Sequence, residues 1–486
     1  MSVAATPATE TVLRTVQNYV NGALVDSVAT EFTELVDPTD GTVTGRSPKS
    51  TPEEVDAAVR AAEAAFPGWR RTTPSQRQLM LLQLADAIEA HSDELVELQS
   101  RNTGQVKALI ASEEVAVGAD HLRFFAGAAR MLEGKASGEY MTGLSSSVRR
   151  EPIGVVAQVT PWNYPLMMAL WKIGPALAAG NTVVLKPSDT TPESTVLLAQ
   201  LAGEIFPPGV FNVVNGDGQT GKVLVEHPVP GLVAITGSVR AGISVAVSAA
   251  QHLKRAHLEL GGKAPVVVFA DADLASAAAG IATAGYFNAG QDCTAATRVI
   301  VHESVHDAFV DALVAEAAQT RPGGRDDEDA AYGPLNNAAH FAKVTGMLAD
   351  LPAHAQIRTG GRQVGSEGFY LEPTVITGLQ QDDQCIQEEI FGPVITVQSF
   401  TDEADALARA NGVPYGLSSS VWTTDHATAL RMSRDLDFGC VWVNTHIPLV
   451  AEMPHGGFGA SGYGKDLSGY GLEDYTRVKH VMSALG

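Results

Sequence analysis

The sequence predicts an α/β protein with parallel sheets covered by helices on both faces. Two observations carry that expectation. From residue 153 an apolar run, a turn and a helical stretch recur, with runs at 153–159, 182–185, 210–214 and 232–235. A second alternating region follows Pro265, with strands expected at 266–269, 298–301, 394–400 and 440–443. The runs are continuously apolar, as strands buried on both faces are, and their alternation with helices implies parallel βαβ units.

The elements follow in order. Segments 52–66, 76–91 and 93–102 place apolar residues at three- and four-residue intervals between charges, so each predicts an amphipathic helix. A further helix is expected over about 113–132. Residues 138–150 are Ser/Gly-rich and partly alternating, which reads as a β-hairpin. Within the first α/β region, 192–205 and 218–226 read as helices between strands. The charged, Gly-rich segment 323–329 reads as a surface loop, and the alternating tail 475–482 as an edge strand. No tandem repeat or low-complexity tract interrupts the chain.

Composition bounds the function. The length of 486 residues suits about three domains at roughly 150 residues each. Hydrophobic residues at 45% and charged residues at 18% are a globular mixture rather than a disordered one. The net charge of −22 would repel phosphate backbones and anionic lipid surfaces, which argues against nucleic-acid and membrane partners. Three scattered cysteines form neither a disulfide framework nor a metal-spaced cluster, so no metal is expected and a reducing, cytoplasmic setting is. The start of the chain has no basic stretch before an apolar core, unlike a secretory signal. The apolar window 165–185 contains Lys172, Pro175 and Gly180, and reads as a soluble helix followed by a buried strand.

Three local patterns offer chemistry, each with a bland alternative. Gly216-Asp-Gly218-Gln-Thr-Gly221 follows a strand and opens a helix, so it is either a pyrophosphate-binding turn or an ordinary tight βα turn. The acidic residue expected about 20 positions on is absent, and Arg240 lies there, which by itself would suggest NADP. Leu258-Glu259-Leu260-Gly261-Gly262-Lys263 ends a strand in a carboxylate, either a general base or one half of an ion pair. Asn288-Ala-Gly290-Gln-Asp292-Cys293 holds a lone cysteine, either a small core residue or a nucleophile. Cys385 and Cys440 fit core or loop roles.

Together with Thr160-Pro161-Trp162-Asn163-Tyr164-Pro165, Leu185-Lys186-Pro187-Ser188, Thr236-Gly237-Ser238 and Glu389-Ile390-Phe391-Gly392-Pro393-Val394, the last two motifs resemble the aldehyde dehydrogenase superfamily. They occur in that family's order, over about residues 19–481. Around Tyr286–Ala296, Trp442–His446 and Glu452–Gly457 the wording is most similar to the bacterial γ-aminobutyraldehyde dehydrogenases.

The resemblance implies an aldehyde-dehydrogenase-like fold. A doubly wound cofactor domain (1–132 with 152–259) and an α/β catalytic domain (260–458) would carry a small β oligomerisation element (133–151 with 459–486). It implies a small-molecule aldehyde substrate and a homo-oligomer, dimer or tetramer. Cys293 would attack the aldehyde, with Asn163 and the Cys293 backbone N–H holding the oxyanion. Glu259 would activate water, and Lys172 would help relay protons, unless it is a solvated helix residue. For the cofactor, Lys186 and Asp189 would bind the adenine ribose and Ser238 the pyrophosphate, while Glu389 and Phe391 would position the nicotinamide ribose. Thr160, Pro161, Trp162, Ser188, Thr236, Gly237, Leu260 and Gly261 would line the same cleft, with Gly218 and Gly221 as secondary candidates. The family commonly has Glu where this chain has Asp189; its charge would still repel a 2′-phosphate and favour NAD over NADP.

An aminoaldehyde carries an ammonium, so its pocket should offer carboxylates or aromatic faces. Asp120, Asp292 and Glu452, with Trp171 and Trp442, are candidates for that role, against the alternative of ordinary surface charges and core aromatics. No Arg cluster of the kind a semialdehyde carboxylate would favour occurs in these segments, although Arg123 could serve that end. The expectation is NAD-dependent oxidation of 4-aminobutanal or a related ω-aminoaldehyde. Betaine aldehyde or succinate semialdehyde are alternatives within the class, and a cofactor-independent cysteine hydrolase is an alternative outside it.

Overall fold

The structure is a computed structural model that describes residues 13–486. The chain start, where no secretory signal is expected, lies largely outside the described residues. Among the described residues no helix is long and apolar enough to cross a membrane.

The first α/β region forms an eight-stranded sheet. Its five central strands run parallel in the spatial order Phe211–Val213, Thr182–Lys186, Val155–Val159, Leu232–Gly237 and Arg255–Leu260. Chain order reverses between Val155–Val159 and Leu232–Gly237. In open α/β sheets the crevice at such a reversal, outside the carboxyl ends of the strands, is where ligands bind. Antiparallel strands close both edges. Asn18–Val20 and Ala23–Val25 cover one, and Gly462–Tyr463 covers the other by pairing with Leu258 and Glu259. The helix Pro165–Ala178 is buried along nearly its whole length, so the apolar window is indeed a core helix leading to the strand Thr182–Lys186.

A seven-stranded sheet forms the second α/β region, in the order Gln356–Thr359, Thr374–Thr377, Val394–Phe400, Arg298–His302, Pro265–Val268, Ser418–Trp422 and Cys440–Val443. All its pairings are parallel except the first. Ser418–Trp422 reads Ser-Ser-Ser-Val-Trp and is fully buried, so its polar sequence concealed a central strand. The hairpin Gly138–Met141 with Leu144–Pro152 and the terminal strand Thr476–Ala484 were expected; the structure adds that they pair into one three-stranded sheet. The segment 459–486 is therefore divided between this sheet, the eight-stranded one and the two-stranded pairing of Phe458–Gly459 with Tyr415–Gly416.

Two expectations change. Short strands, including Phe32–Val36 paired with Val43–Pro48, precede the first helix Pro52–Trp69. The helix expected from 113 instead opens with a π-helical stretch, Ile110–Ala116, before the α-helix Val117–Ala128. Such widened turns are rare and concentrate near functional sites.

Candidate active site

The two α/β regions meet across a cavity of about 700 Å³. Its walls include Cys293, Glu259, Asn163, Glu389, Phe391, Trp162 and the Thr236-Gly237-Ser238 turn, all singled out from sequence, together with Pro161, Leu260, Gly261, Trp171 and Asp292. Cys293 follows the helix Leu274–Tyr286 through a tight turn in which Asn288, Ala289 and Gly290 all have positive φ (49°, 57° and 67°). A Cβ on Gly290 would lie 2.1 Å from the Gly392 carbonyl oxygen, so the turn needs glycine for space as well as conformation. The cysteine is half-buried and free. Burial, and then the carboxylates of Glu259, Asp292 and Glu389, push its thiol well above the ordinary range.

The glycines after Glu259 bring the two halves together. A Cβ on Gly262 would sit 2.2 Å from the Cys293 carbonyl oxygen, and one on Gly261 would sit 2.4 Å from the Glu389 carboxylate. The Gly262 N–H donates to Glu389 Oε1 at 2.9 Å. Burial raises Glu389 to about 7. Glu259 itself is 2% exposed and lies 3.3 Å from His455 Nε2. Glu259, Cys293 and His455 each place a ligand-type atom within 4.8 Å of the others. Strand pairing at Glu259 and Gly462 is what carries the His455 loop into the site.

Asn163 is held from several sides. Its Nδ2 donates to the Gln291 carbonyl at 3.0 Å, and its own carbonyl accepts from Gln105 Nε2 and Asn288 Nδ2, both at 2.9 Å. Gln105 and Gln99 in turn donate to Glu114, which is 1% exposed and raised by burial to about 7. Sequence reading missed Gln105, Glu114 and His455, because nothing local to them announces these distant partners.

Other candidates fall in varied places. Lys186 is buried, donates to the Pro187 and Gly216 carbonyls at 2.7 and 2.8 Å, and is lowered by burial to about 8. Asp189 accepts from Thr33 Oγ1 at 3.3 Å. The glycine-rich turn has no open anion seat at its helix: the Asp217 carboxylate caps Gly218–Glu226 by accepting from the Gln219 and Thr220 N–H groups. Gly218 faces open space, and Gly221 makes room for the Lys186 stem. The neighbouring helix Val239–Gln251 instead points its N-terminus, capped by Ser238, at the cavity. Thr160 and Thr236 each bury a hydroxyl oxygen with no hydrogen-bond partner at the crevice, and Ser188, two residues after Lys186, is buried with its hydroxyl 3.2 Å from that of Thr190.

Lys172 is not a solvated residue. It is fully buried and bonded to both Asp466 carboxylate oxygens at 2.7 and 3.0 Å. Burial works against the ionised Asp466, yet Lys172 and His257 hold its carboxyl well below the ordinary range. Asp292, although in the cavity wall, is occupied: Tyr164 Oη donates to it at 2.8 Å, and the Thr294 N–H and hydroxyl at 2.6 Å. Trp442 is outside the cavity wall, donating to the Pro448 carbonyl and packing on His446. Asp120 and Glu452 are exposed but close enough to act on His121, which accepts from Trp171 Nε1 at 2.8 Å. Arg123 is consumed by Glu89 and Asp86.

Comparison with known proteins agrees with this geometry. The aldehyde dehydrogenase family matches residues 24–481, and the chain belongs to it. An aldehyde dehydrogenase of Emericella nidulans is 39% identical over 96% of this chain and 95% of its own. The phenylacetaldehyde dehydrogenase of Pseudomonas fluorescens is 38% identical over 96% of each. The crystal structure of betaine aldehyde dehydrogenase from Staphylococcus aureus in complex with NAD+ superposes with a TM-score of 0.94 at 34% identity, over 96% of this chain and 95% of that one.

Proposed function

We propose that this aldehyde dehydrogenase uses NAD to oxidise an ω-aminoaldehyde to its acid through a covalent intermediate on Cys293. The observation that carries the mechanism is the convergence of Cys293, Glu259 and Asn163 on one cavity from three distant segments. The cofactor fits the crevice: two buried, unpartnered threonine hydroxyls and the N-terminus of the helix Val239–Gln251, where the Ser238 hydroxyl engages only the Ala241 N–H, offer polar contacts to a dinucleotide. Thr236, Gly237 and Ser238 would hold the pyrophosphate, Lys186 and Asp189 the adenine ribose, and Glu389 with Phe391 the nicotinamide ribose. Thr160, Pro161, Trp162, Ser188, Leu260 and Gly261 would shape the cleft around them. Gly221 makes room for the Lys186 stem, and Gly218 opens the helix Gly218–Glu226 beside it.

Cys293 thiolate adds to the aldehyde carbon, and the Asn163 amide and Cys293 N–H donate to the resulting oxyanion. Held in that cleft, NAD would supply the hydride acceptor that lets the thiohemiacetal on Cys293 collapse to a thioester. Glu259 then takes a proton from the water that attacks the thioester, and Cys293 leaves as thiolate. Lys172 braces the site from behind through its ion pair with Asp466.

The substrate reading rests on charge. At the Trp171–His121 end, Glu113 lines the cavity, and Asp120 and Glu452 both act on His121, so an ammonium would find anionic and aromatic surroundings. Arg123 is spent on two surface carboxylates, which leaves a semialdehyde carboxylate without that partner. Betaine aldehyde is the second reading, because a quaternary ammonium suits the same aromatic wall. In this reading the protein works as a soluble cytoplasmic homo-oligomer, supported by its free cysteines and by an exposed three-stranded sheet. Reduced-nicotinamide formation with NAD and a panel of aldehydes tests the substrate, with 4-aminobutanal expected to give the highest kcat/KM. A higher value for betaine aldehyde, phenylacetaldehyde or succinate semialdehyde would overturn that choice. Cys293→Ala is expected to abolish turnover with every aldehyde.

A further inference from the structure

The charges that bear most on Cys293 are the carboxylates of Glu259, Asp292 and Glu389, and each disfavours a thiolate. A nucleophilic thiol in that setting needs a proton acceptor and a positive charge. His455 is placed to be both. It is 3% exposed, lines the cavity, and has a ring nitrogen within 4.8 Å of Cys293 Sγ. Nε2 faces Glu259 Oε1 at 3.3 Å, whereas Nδ1 is buried without a hydrogen-bond partner. Its ring meets the Trp171 face edge-on at 5.3 Å. The loop is pinned in register by two backbone hydrogen bonds between His455 and Asp466.

We propose that His455 accepts the thiol proton of Cys293, so that the resting nucleophile is a thiolate beside an imidazolium held by Glu259. In this step the S–H bond breaks, an N–H bond forms on the imidazole, and the electron pair stays on sulfur. The same imidazolium stabilises the thiolate again when it leaves the hydrolysed thioester.

Other charged groups face the three from known directions. Asp292 adjoins Cys293, and Glu389 lies across Gly261. Lys465, on the His455 side, acts on Glu259 but directs its Nζ to the Gly456 carbonyl. The Asp466 carboxylate is engaged by Lys172 and His257, and Asp120 and Glu452 lie beyond Trp171, near His121. Glu259 shares the 4.8 Å neighbourhood of Cys293 with His455, and the His455 variants below separate the two acceptors.

The inference rests on Cys293 being the nucleophile, and the test separates the two. The rate of Cys293 alkylation by iodoacetamide is measured against pH for the full-length wild type, His455→Phe and His455→Gln, with NAD binding and Tm as checks of folding. The wild type is expected to reach a reactive plateau near neutral pH. Both variants should lose it and react roughly ten-fold or more slowly at pH 7, with a single rise at high pH. Unchanged profiles in either folded variant would overturn the pairing, since Gln preserves polarity and Phe preserves bulk. Should the variants not fold, thiolate absorbance near 240 nm in wild type against Cys293→Ser decides: no Cys293 thiolate at pH 7 overturns the proposal. Aldehyde oxidation by Cys293→Ser at the wild-type rate would instead overturn the nucleophile assignment.

Discussion

Glu114 illustrates how far from the reacting atoms a single side chain can matter. It is not part of the cavity wall, yet it anchors Gln105, whose amide fixes the carbonyl of Asn163. Burial raises its carboxyl from 4.5 to about 7. A raised folded-state pKa stabilises the protein below the unfolded value and loses that stabilisation as pH climbs through the folded one. The change between pH 4.5 and 8 is on the order of 3 kcal/mol, at 1.36 kcal/mol per pKa unit. Glu114→Gln is expected to flatten this part of the pH–stability curve, read from Tm or urea midpoints at pH 5 and 8. A wild type and variant that lose stability in parallel would show that the buried carboxyl titrates normally. Asn163, Glu259 and Cys293 were legible because each sits inside a local motif. Gln105 and Glu114 were not, because a buried amide network is written across segments that only folding brings together.

At the scale of elements, the strand end Arg255–Leu260 and the turn into Cys293 approach so closely that only glycine separates them. Gly262→Ala would place a Cβ against the Cys293 carbonyl, and backbone atoms there cannot rotate away as a flexible side chain would. A displacement near 1 Å at a reacting group costs about 10²-fold in rate. The expected result is a kcat loss of that order with a circular dichroism spectrum like the wild type; unchanged kcat would refute the close packing. The parallel strands were legible as elements, since unbroken Val/Ile/Leu runs have few other uses in a soluble chain. Ser418–Trp422 was concealed because a β-strand buried on both faces tolerates serine where neighbouring strands supply the packing. The Gly216–Gly221 turn had two readings, a pyrophosphate-binding turn or an ordinary βα turn. Its glycines fit a phosphate loop, but Asp217 occupies the helix N-terminus that a phosphate would need.

At the scale of the whole molecule, the three-stranded sheet leaves one strand edge exposed. Thr476–Ala484 pairs with Leu144–Pro152 on one side only, and Val478, Val481 and Met482 stand in solvent at 61%, 37% and 47% exposure. An unpaired strand edge with apolar side chains is an assembly surface that a monomer would have to protect. Val478→Lys with Met482→Lys is therefore expected to lower the oligomeric state measured by analytical ultracentrifugation, while the distant Cys293 chemistry keeps its thiol reactivity. A wild type that sediments as a monomer would refute the assembly.

By itself the sequence determined the α/β class, the continuously apolar strands and the family motifs that hold Asn163, Glu259 and Cys293, because periodicity and compact motifs are local properties of the chain. The tertiary structure decided which residues surround that trio. Pairing of Gly462–Tyr463 with Leu258 and Glu259 brings His455 beside Glu259 and Cys293. That pairing is made by backbone hydrogen bonds, which any side chains can accompany, so neither segment carries a mark of the other.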